Sequence, residues 1–164
     1  MLNPTRTPLW PGGKGESLFE KILAPTDGSP ASLAAAGTAA RVAAAHGGTI
    51  HPLVAVEYRY IEDDEIPAEV SAAVRARIDR RAREALQEVC RAALDRGAPC
   101  TPGKIAVGTA AQAILDEAEA GGFDLIVMGS RGVGREANRR RLVGSVTEQV
   151  LAAAPCPVLV IREE

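Results

Sequence analysis

The chain is poor in aromatic side chains: only 3% of its 164 residues are Phe, Tyr or Trp, although 46% are hydrophobic. A core must therefore come from Ala, Val, Leu and Ile, a composition suited to a buried parallel sheet covered by alanine-rich helices. No apolar run approaches the roughly 18–20 residues of a membrane span. The formal net charge of -2 is too small to draw the protein to nucleic acid or anionic lipid. There are three cysteines, Cys90, Cys100 and Cys156, an odd and scattered set that suggests neither a disulfide framework nor a zinc knuckle. His46 and His51 have no metal-ligand company, and no Ser-His-Asp or Cys-His arrangement is suggested by position. The expectation is a cytoplasmic protein with no catalytic residues and no metal site.

The opening "MLNPTRTPLWPGGKGES" has neither an apolar centre nor a cleavage pattern. It reads as a flexible tail over residues 1–18 rather than a signal peptide, with one domain over residues 19–164, a normal single-domain length. Its "PGGKGES" lacks P-loop spacing and precedes the first strand instead of following it.

From Phe19 onward, short apolar runs alternate with helical stretches. "KILAP" (21–25) predicts the first strand, and "TDGSP" turns out of it. Ser29 then Pro30 has the form of a helix start, a hydroxyl N-cap followed by proline at the first helical position. The alanine-rich run to His46 is that helix, stopped by Gly47-Gly48. Residues 49–57 predict a second strand; Pro52 is awkward in a central strand, so its first half is expected to be irregular or near an edge. A polar connection (58–67) carrying the acidic run Glu62 to Glu65 leads to a long helix over 68–96. The apolar stripe of that helix is Val70, Val74, Ile78, Ala82, Ala85, Val89 and Ala93. A third strand (104–107), a helix from Thr109 to about Ala120, a fourth strand (123–129), a last helix (145–153) and a last strand (157–161) follow. This alternation predicts an α/β fold: a single open five-stranded parallel sheet sandwiched by helices, with right-handed crossovers.

In such sheets ligands sit beyond the carboxyl ends of the strands. Two loops suit that place. One is "PTDGS", where Asp27 ends the first strand; the other is "GSRG" after the fourth strand, with Gly144-Ser145 opening a helix beyond it. Glycines let a backbone approach phosphate closely, and a helix N-terminus favours an anion. Each residue also has an ordinary structural reading: Gly129 as a strand end, Gly144 as an N-cap, Asp27 as the cap of its own turn. Their coincidence at neighbouring strand ends favours a site.

Taken together, "ILAPTDGS", "LIVMGSRG" and "GSVTEQVLAAAPCPVLVIR" resemble the universal stress protein family in order and placement, over roughly Phe19 to Arg162. The resemblance implies an adenine nucleotide alpha hydrolase-like sheet of strand order 3-2-1-4-5. It also implies ATP as ligand, with magnesium only as the nucleotide's companion. Carried over by position, Pro25, Asp27 and Val56 would hold the base, and Gly129, Arg131, Gly132, Gly144, Ser145 and Val146 the sugar and phosphates. The ATP-binding members carry Gly-x2-Gly-x9-Gly-Ser/Thr; here eleven residues separate Gly132 from Gly144, and Arg135, Arg139, Arg140 and Arg141 make that longer loop basic. The implied role is a stress-response regulator with little or no turnover, a homodimer through the last strand (157–161), with no nucleic-acid or membrane partner. A nucleotide-free member acting by protein contacts, and a slow ATP-hydrolysing or phosphate-transferring enzyme, stay open as alternatives.

Overall fold

The computed structural model describes residues 17–58, 67–132 and 143–162. The tail through residue 16, the acidic run and the loop from 133 to 142 with its four arginines lie outside them. Five strands, β1 (Lys21–Pro25), β2 (Thr49–Val56), β3 (Lys104–Val107), β4 (Leu125–Gly129) and β5 (Val158–Ile161), form one sheet. All pairings are parallel and the order is β3-β2-β1-β4-β5. Four helices connect them: α1 (Pro30–His46), α2 (Ala68–Leu94), α3 (Ala110–Gly121) and α4 (Ser145–Ala153). The α/β architecture is that expected from the sequence, with element ends moved by a residue or two.

Period-two alternation divides the core between the two faces of the sheet. Ile22, Ala24, Ile50, Leu125 and Val127 pack with the alanines of α1 and with Val89 and Ala93 of α2. Leu23, Leu53, Ile126 and Met128 pack on the other face against Ala111, Ile114 and Ala118 of α3 and Val150 of α4. Helix α1 buries Ala31, Ser32, Ala35, Ala36, Ala39, Ala40 and Ala43. Side chains this small let the helix axis lie close to the strands, which is how a domain short of aromatics still fills its interior.

Three sequence expectations about the fold need correction. The stripe proposed for α2 is buried only from Ala82 onward; Val70 is 50% exposed, and Val74 and Ile78 are half-buried. A 27-residue helix is about 40 Å long at 1.5 Å per residue. The eight residues of β2 span only about 26 Å, so the helix overruns the sheet.

Pro52 is neither irregular nor peripheral, being fully buried and in register with Ala24. Ile50 directs both its N–H and its C=O toward the β3 side, bonding Pro99 O and Thr101 N at 2.9 Å each. Two residues on, Pro52 faces the same side, opposite the stretch before β3 pairing starts at Leu53↔Lys104. Its missing donor falls where the ladder is interrupted.

The cysteine expectation also fails: Cys90 of α2 and Cys100, whose backbone bridges Ile50, form a disulfide with a Cα–Cα distance of 5.5 Å. The fold returns the chain along the sheet edge right after α2, so a spacing that suggested no framework brings two thiols together. Cys156 stays free, its thiol pushed up to about 11 by burial and, less, by Asp124. His51, between the Phe123 ring and Thr101, is held below the ordinary imidazole range chiefly by burial.

The Gly47-Gly48 stop joins two different constraints. Gly47 is left-handed (φ 70°) with open space where a side chain would go. Gly48 has ordinary φ, but a Cβ would strike the carbonyl oxygen of Phe19 and lie 3.2 Å from its carbon. Gly47→Ala should cost about 1–2 kcal/mol through conformation alone, and Gly47→Asn less. Gly48→Ala should cost about 1–3 kcal/mol through overpacking against backbone. Urea denaturation checks this: Asn should rescue position 47 and not position 48, with the m-value unchanged.

Candidate functional site

The chain runs from β1 outward to β2 and β3 on one side, and from β4 to β5 on the other. The carboxyl ends of β1 and β4 therefore flank the place where the strand order reverses. The two strands pair only at Ile22↔Leu125 and Leu23↔Ile126. Proline explains why the pairing stops. Lys21 O accepts from Asp124 N on the β4 side, whereas Thr26 N reaches Leu53 O on the β2 side. Odd-numbered residues of β1 thus face β4, and Pro25, next in that series, has no N–H to give. The sheet opens beyond Leu23 into a cleft.

Above β1 the loop is fixed by a chain of hydrogen bonds. Gly28 N donates to Thr26 Oγ1 (3.1 Å), the Thr26 and Ser32 hydroxyls bond at 2.9 Å, and Ser32 Oγ donates to Ser29 O at 2.9 Å. Ser29 Oγ caps α1 by accepting from Ser32 N at 3.2 Å, as its position before Pro30 suggested. Gly28 takes φ 75°, which turns the chain from strand to helix. Asp27 Oδ1 accepts from Ser29 N at 3.0 Å, a local turn bond that aims the carboxyl group.

The second loop is pinned at both ends. Ser130 N donates to Ile161 O at 2.7 Å, and Gly144 N to Ser130 O at 2.8 Å. Thr147 Oγ1, buried, donates to Gly129 O at 3.1 Å and ties the first turn of α4 to the end of β4. Whatever the length of the segment between them, Ser130 and Gly144 are held together. The three glycines differ in how closely they are approached. A Cβ on Gly129 would lie 3.0–3.2 Å from Ala31, and one on Gly132 would strike the Asp27 carboxylate. A Cβ on Gly144 would point into the gap toward Ser130 O (3.4 Å) and the Arg131 Cα (3.6 Å).

Between the loops lies a half-open cleft of about 120 Å3. Leu53, Ala55, Ile114 and Met128 give it an apolar floor; Asp27, Arg131 and Gly132 stand among the residues that line it. Six of the residues singled out from sequence line it: Pro25, Asp27, Gly129, Arg131, Gly132 and Val146. Gly144 and Ser145 are not among its lining residues; they fall between Ser130, which holds Gly144 N, and the lining residue Val146. Val56 does not face it. Its side chain is buried on the other face against Ala82, Ala85 and Leu86 of α2, because adjacent strand residues point to opposite faces. Ala55, one position earlier, holds the place that Val56 was expected to take. Sequence reading also missed the α3 wall, Ala110 and Ile114, and the buried Thr26 and Ser32 hydroxyls. The one available signal was the parity of β2 relative to Leu53.

Three helices begin at the cleft, α1, α3 and α4, and the N-cap residue of α3, Thr109, makes no side-chain cap bond. Helix α1 is capped by its own Ser29; α4 begins after Gly144 and has no side-chain cap. An anion is favoured by the dipole and amide groups of such an end.

Comparison with known proteins agrees with this architecture. A universal stress protein of Methanocaldococcus jannaschii is 35% identical over 91% of this chain and 85% of its own length. The solved universal stress protein UspA of Lactobacillus plantarum superposes with a TM-score of 0.74 at 30% identity, over 88% of this chain and 98% of that one. Another universal stress protein, solved in complex with cAMP, has a TM-score of 0.59 at 26% identity, over 87% of this chain and 96% of its own. Residues 18–162 match the universal stress protein family as a whole, and the chain belongs to that family.

Proposed function

We propose that this protein binds an adenine nucleotide, ATP, in the cleft between β1 and β4, and serves as a stress-response regulator rather than a turnover enzyme. The observation that carries the reading is an apolar hollow opening toward the N-terminus of α4, whose N-cap residue is a glycine and brings no side-chain cap. The base would lie on Leu53, Ala55 and Met128 beside Pro25 and Asp27, with the sugar and phosphates toward Gly129, Arg131, Gly132, Ser145 and Val146. Arginine suits phosphate through its forked donors, and glycine backbone at Gly132 and Gly144 leaves the approach open. That a relative was solved with cAMP supports an adenine ligand here. Magnesium, if it enters, enters with the nucleotide.

Titration of the purified protein with ATP should show saturable binding at or below millimolar concentration; none there would remove the reading. Gly144→Val should abolish binding while the protein stays folded, because its Cβ fills the gap facing Ser130 and Arg131 without a hard clash. Binding as tight as the parent's would mean that the cradle lies elsewhere.

Turnover should be slow. In-line attack on a phosphate requires a positioned water and charge neutralisation at the leaving group. Asp27, the one carboxylate among the described residues that line the cleft, already has Oδ1 engaged by Ser29 N–H. With magnesium present, release of phosphate should stay well below about 1 s⁻¹, an ordinary enzymatic rate; a rate above it would reveal a catalytic group in the cleft.

We propose further that two copies pair through β5. Both sheet edges are short, but they are not alike. The outer strand β3 carries Lys104, paired with Glu117, a charge that discourages strand addition. The four residues of β5 carry no charge, and Leu159 and Leu151 beside it are 36% and 48% exposed. A two-fold joins this edge to itself and satisfies the open backbone groups of both. Val160→Lys should convert a dimer to monomer at tens of micromolar when mass is measured in solution. A parent already monomeric, or a dimer unmoved by lysine, would defeat the pairing.

A further inference from the structure

Away from the cleft, the molecule holds one pair of reactive groups that nucleotide binding does not use: Cys90 and Cys100. We infer that these two cysteines form a reversible thiol–disulfide couple, a redox-responsive staple between α2 and the sheet edge.

The argument is that the fold holds the two sulfurs together whether or not they are bonded. Cys90 sits on α2 between Val89 and Ala93, two residues with no exposure. Cys100 is held by the backbone on both sides: Ile50 N donates to Pro99 O and Thr101 N donates to Ile50 O, each at 2.9 Å. The reversal between them is closed by Gly97 at φ 74° and by Ala98 N donating to Ala93 O at 3.0 Å. None of these contacts involves sulfur. A protein with the bond cut therefore keeps its shape, and its thiols stay within reach of each other.

The surroundings serve both states. Thr101 O lies 3.0 Å from Cys90 Sγ and 3.2 Å from Cys100 Sγ. When the bond is open, this one carbonyl can accept a hydrogen bond from either thiol. Both cysteines are half-buried, not sealed, so a small reagent can reach them. Cys156 offers no competing partner, since it packs with the cluster on the opposite face of the sheet.

A small-molecule disulfide such as oxidised glutathione is the oxidant class this site fits. One cysteine thiolate attacks it, forming a mixed disulfide and expelling one glutathione thiolate. The second cysteine thiolate then attacks the protein sulfur of that mixed disulfide and expels the second. Two protons leave the protein thiols for the two glutathiones, and two electrons reduce the reagent. Excess reduced glutathione runs the same steps backwards.

The test uses the full chain equilibrated in glutathione buffers of graded ratio, then acid-quenched, alkylated under denaturing conditions and weighed intact. Cys156 always takes one label, so the reduced protein carries three and the oxidised protein one. The expected result is a single reversible transition from three labels to one as the oxidised fraction rises, with unchanged circular dichroism. The oxidised form should melt about 5–10 °C higher than the reduced form, from the loop-closure effect. Cys90→Ser and Cys100→Ser should melt near the reduced parent in either buffer. Three labels in fully oxidised glutathione, one label in fully reduced glutathione, a persistent glutathione adduct, or loss of fold on reduction would each overturn the proposal.

Discussion

The opening between β1 and β4 depends on a hydrogen bond that cannot form. Pro25 stands where β1 would next donate to β4, and without that donor the two central strands stop pairing after Leu23. Elsewhere the ladders run further: five register pairs join β1 to β2, and four join β4 to β5. A buried unmade bond is normally costly. Here β1 has no N–H to leave orphaned at Pro25, because proline has none. The gap is thus compatible with a stable centre, and it falls at the switch point, between a self-capped helix and one without a side-chain cap.

Much of this was legible in the sequence because the signals were local. Ser29-Pro30 and Gly47 announced the ends of α1, and the unbroken run before Gly129 announced a strand buried on both faces. The cleft loops were legible for the same reason: a glycine that must lie against Asp27 or Ala31 is a glycine in the sequence. What could not be read depended on the other side of a contact. Val56 and Ala55 are adjacent apolar residues, and only the placement of α2 against one face says which of them points into the cleft. The first turns of α2 carry a regular apolar stripe, yet no strand is long enough to lie beneath it. Cys90 and Cys100 meet because the chain after Gly97 runs back beside its own helix, a property of topology and not of cysteine spacing.

Pro52 and Pro25 make a related point. Each looks like an obstacle in a central strand, and each is aligned so that its lacking donor meets an interruption: the stretch before β3 in one case, the cleft in the other. The two faces of the sheet share the remaining work unequally. The face under α1 and α2 is closed by alanines and tied by the Cys90–Cys100 bond. The face under α3 and α4 carries the floor of the cleft. A ligand entering there meets larger, apolar side chains below and backbone above.

The pairing of β1 with β4 has a consequence for the order of events at the ribosome. Lys21 N donates to Asp124 Oδ2 at 2.8 Å across 103 positions of sequence. At roughly 5–20 residues per second, the first strand waits about 5–20 s for its central neighbour to be synthesised. During that interval the edge of β1 that faces β4 is without its partner, and both walls of the cleft exist only after the wait ends. Long-range pairing of this kind is slow and exposes apolar strands to other chains. A nascent chain must therefore pass most of its synthesis without the crevice.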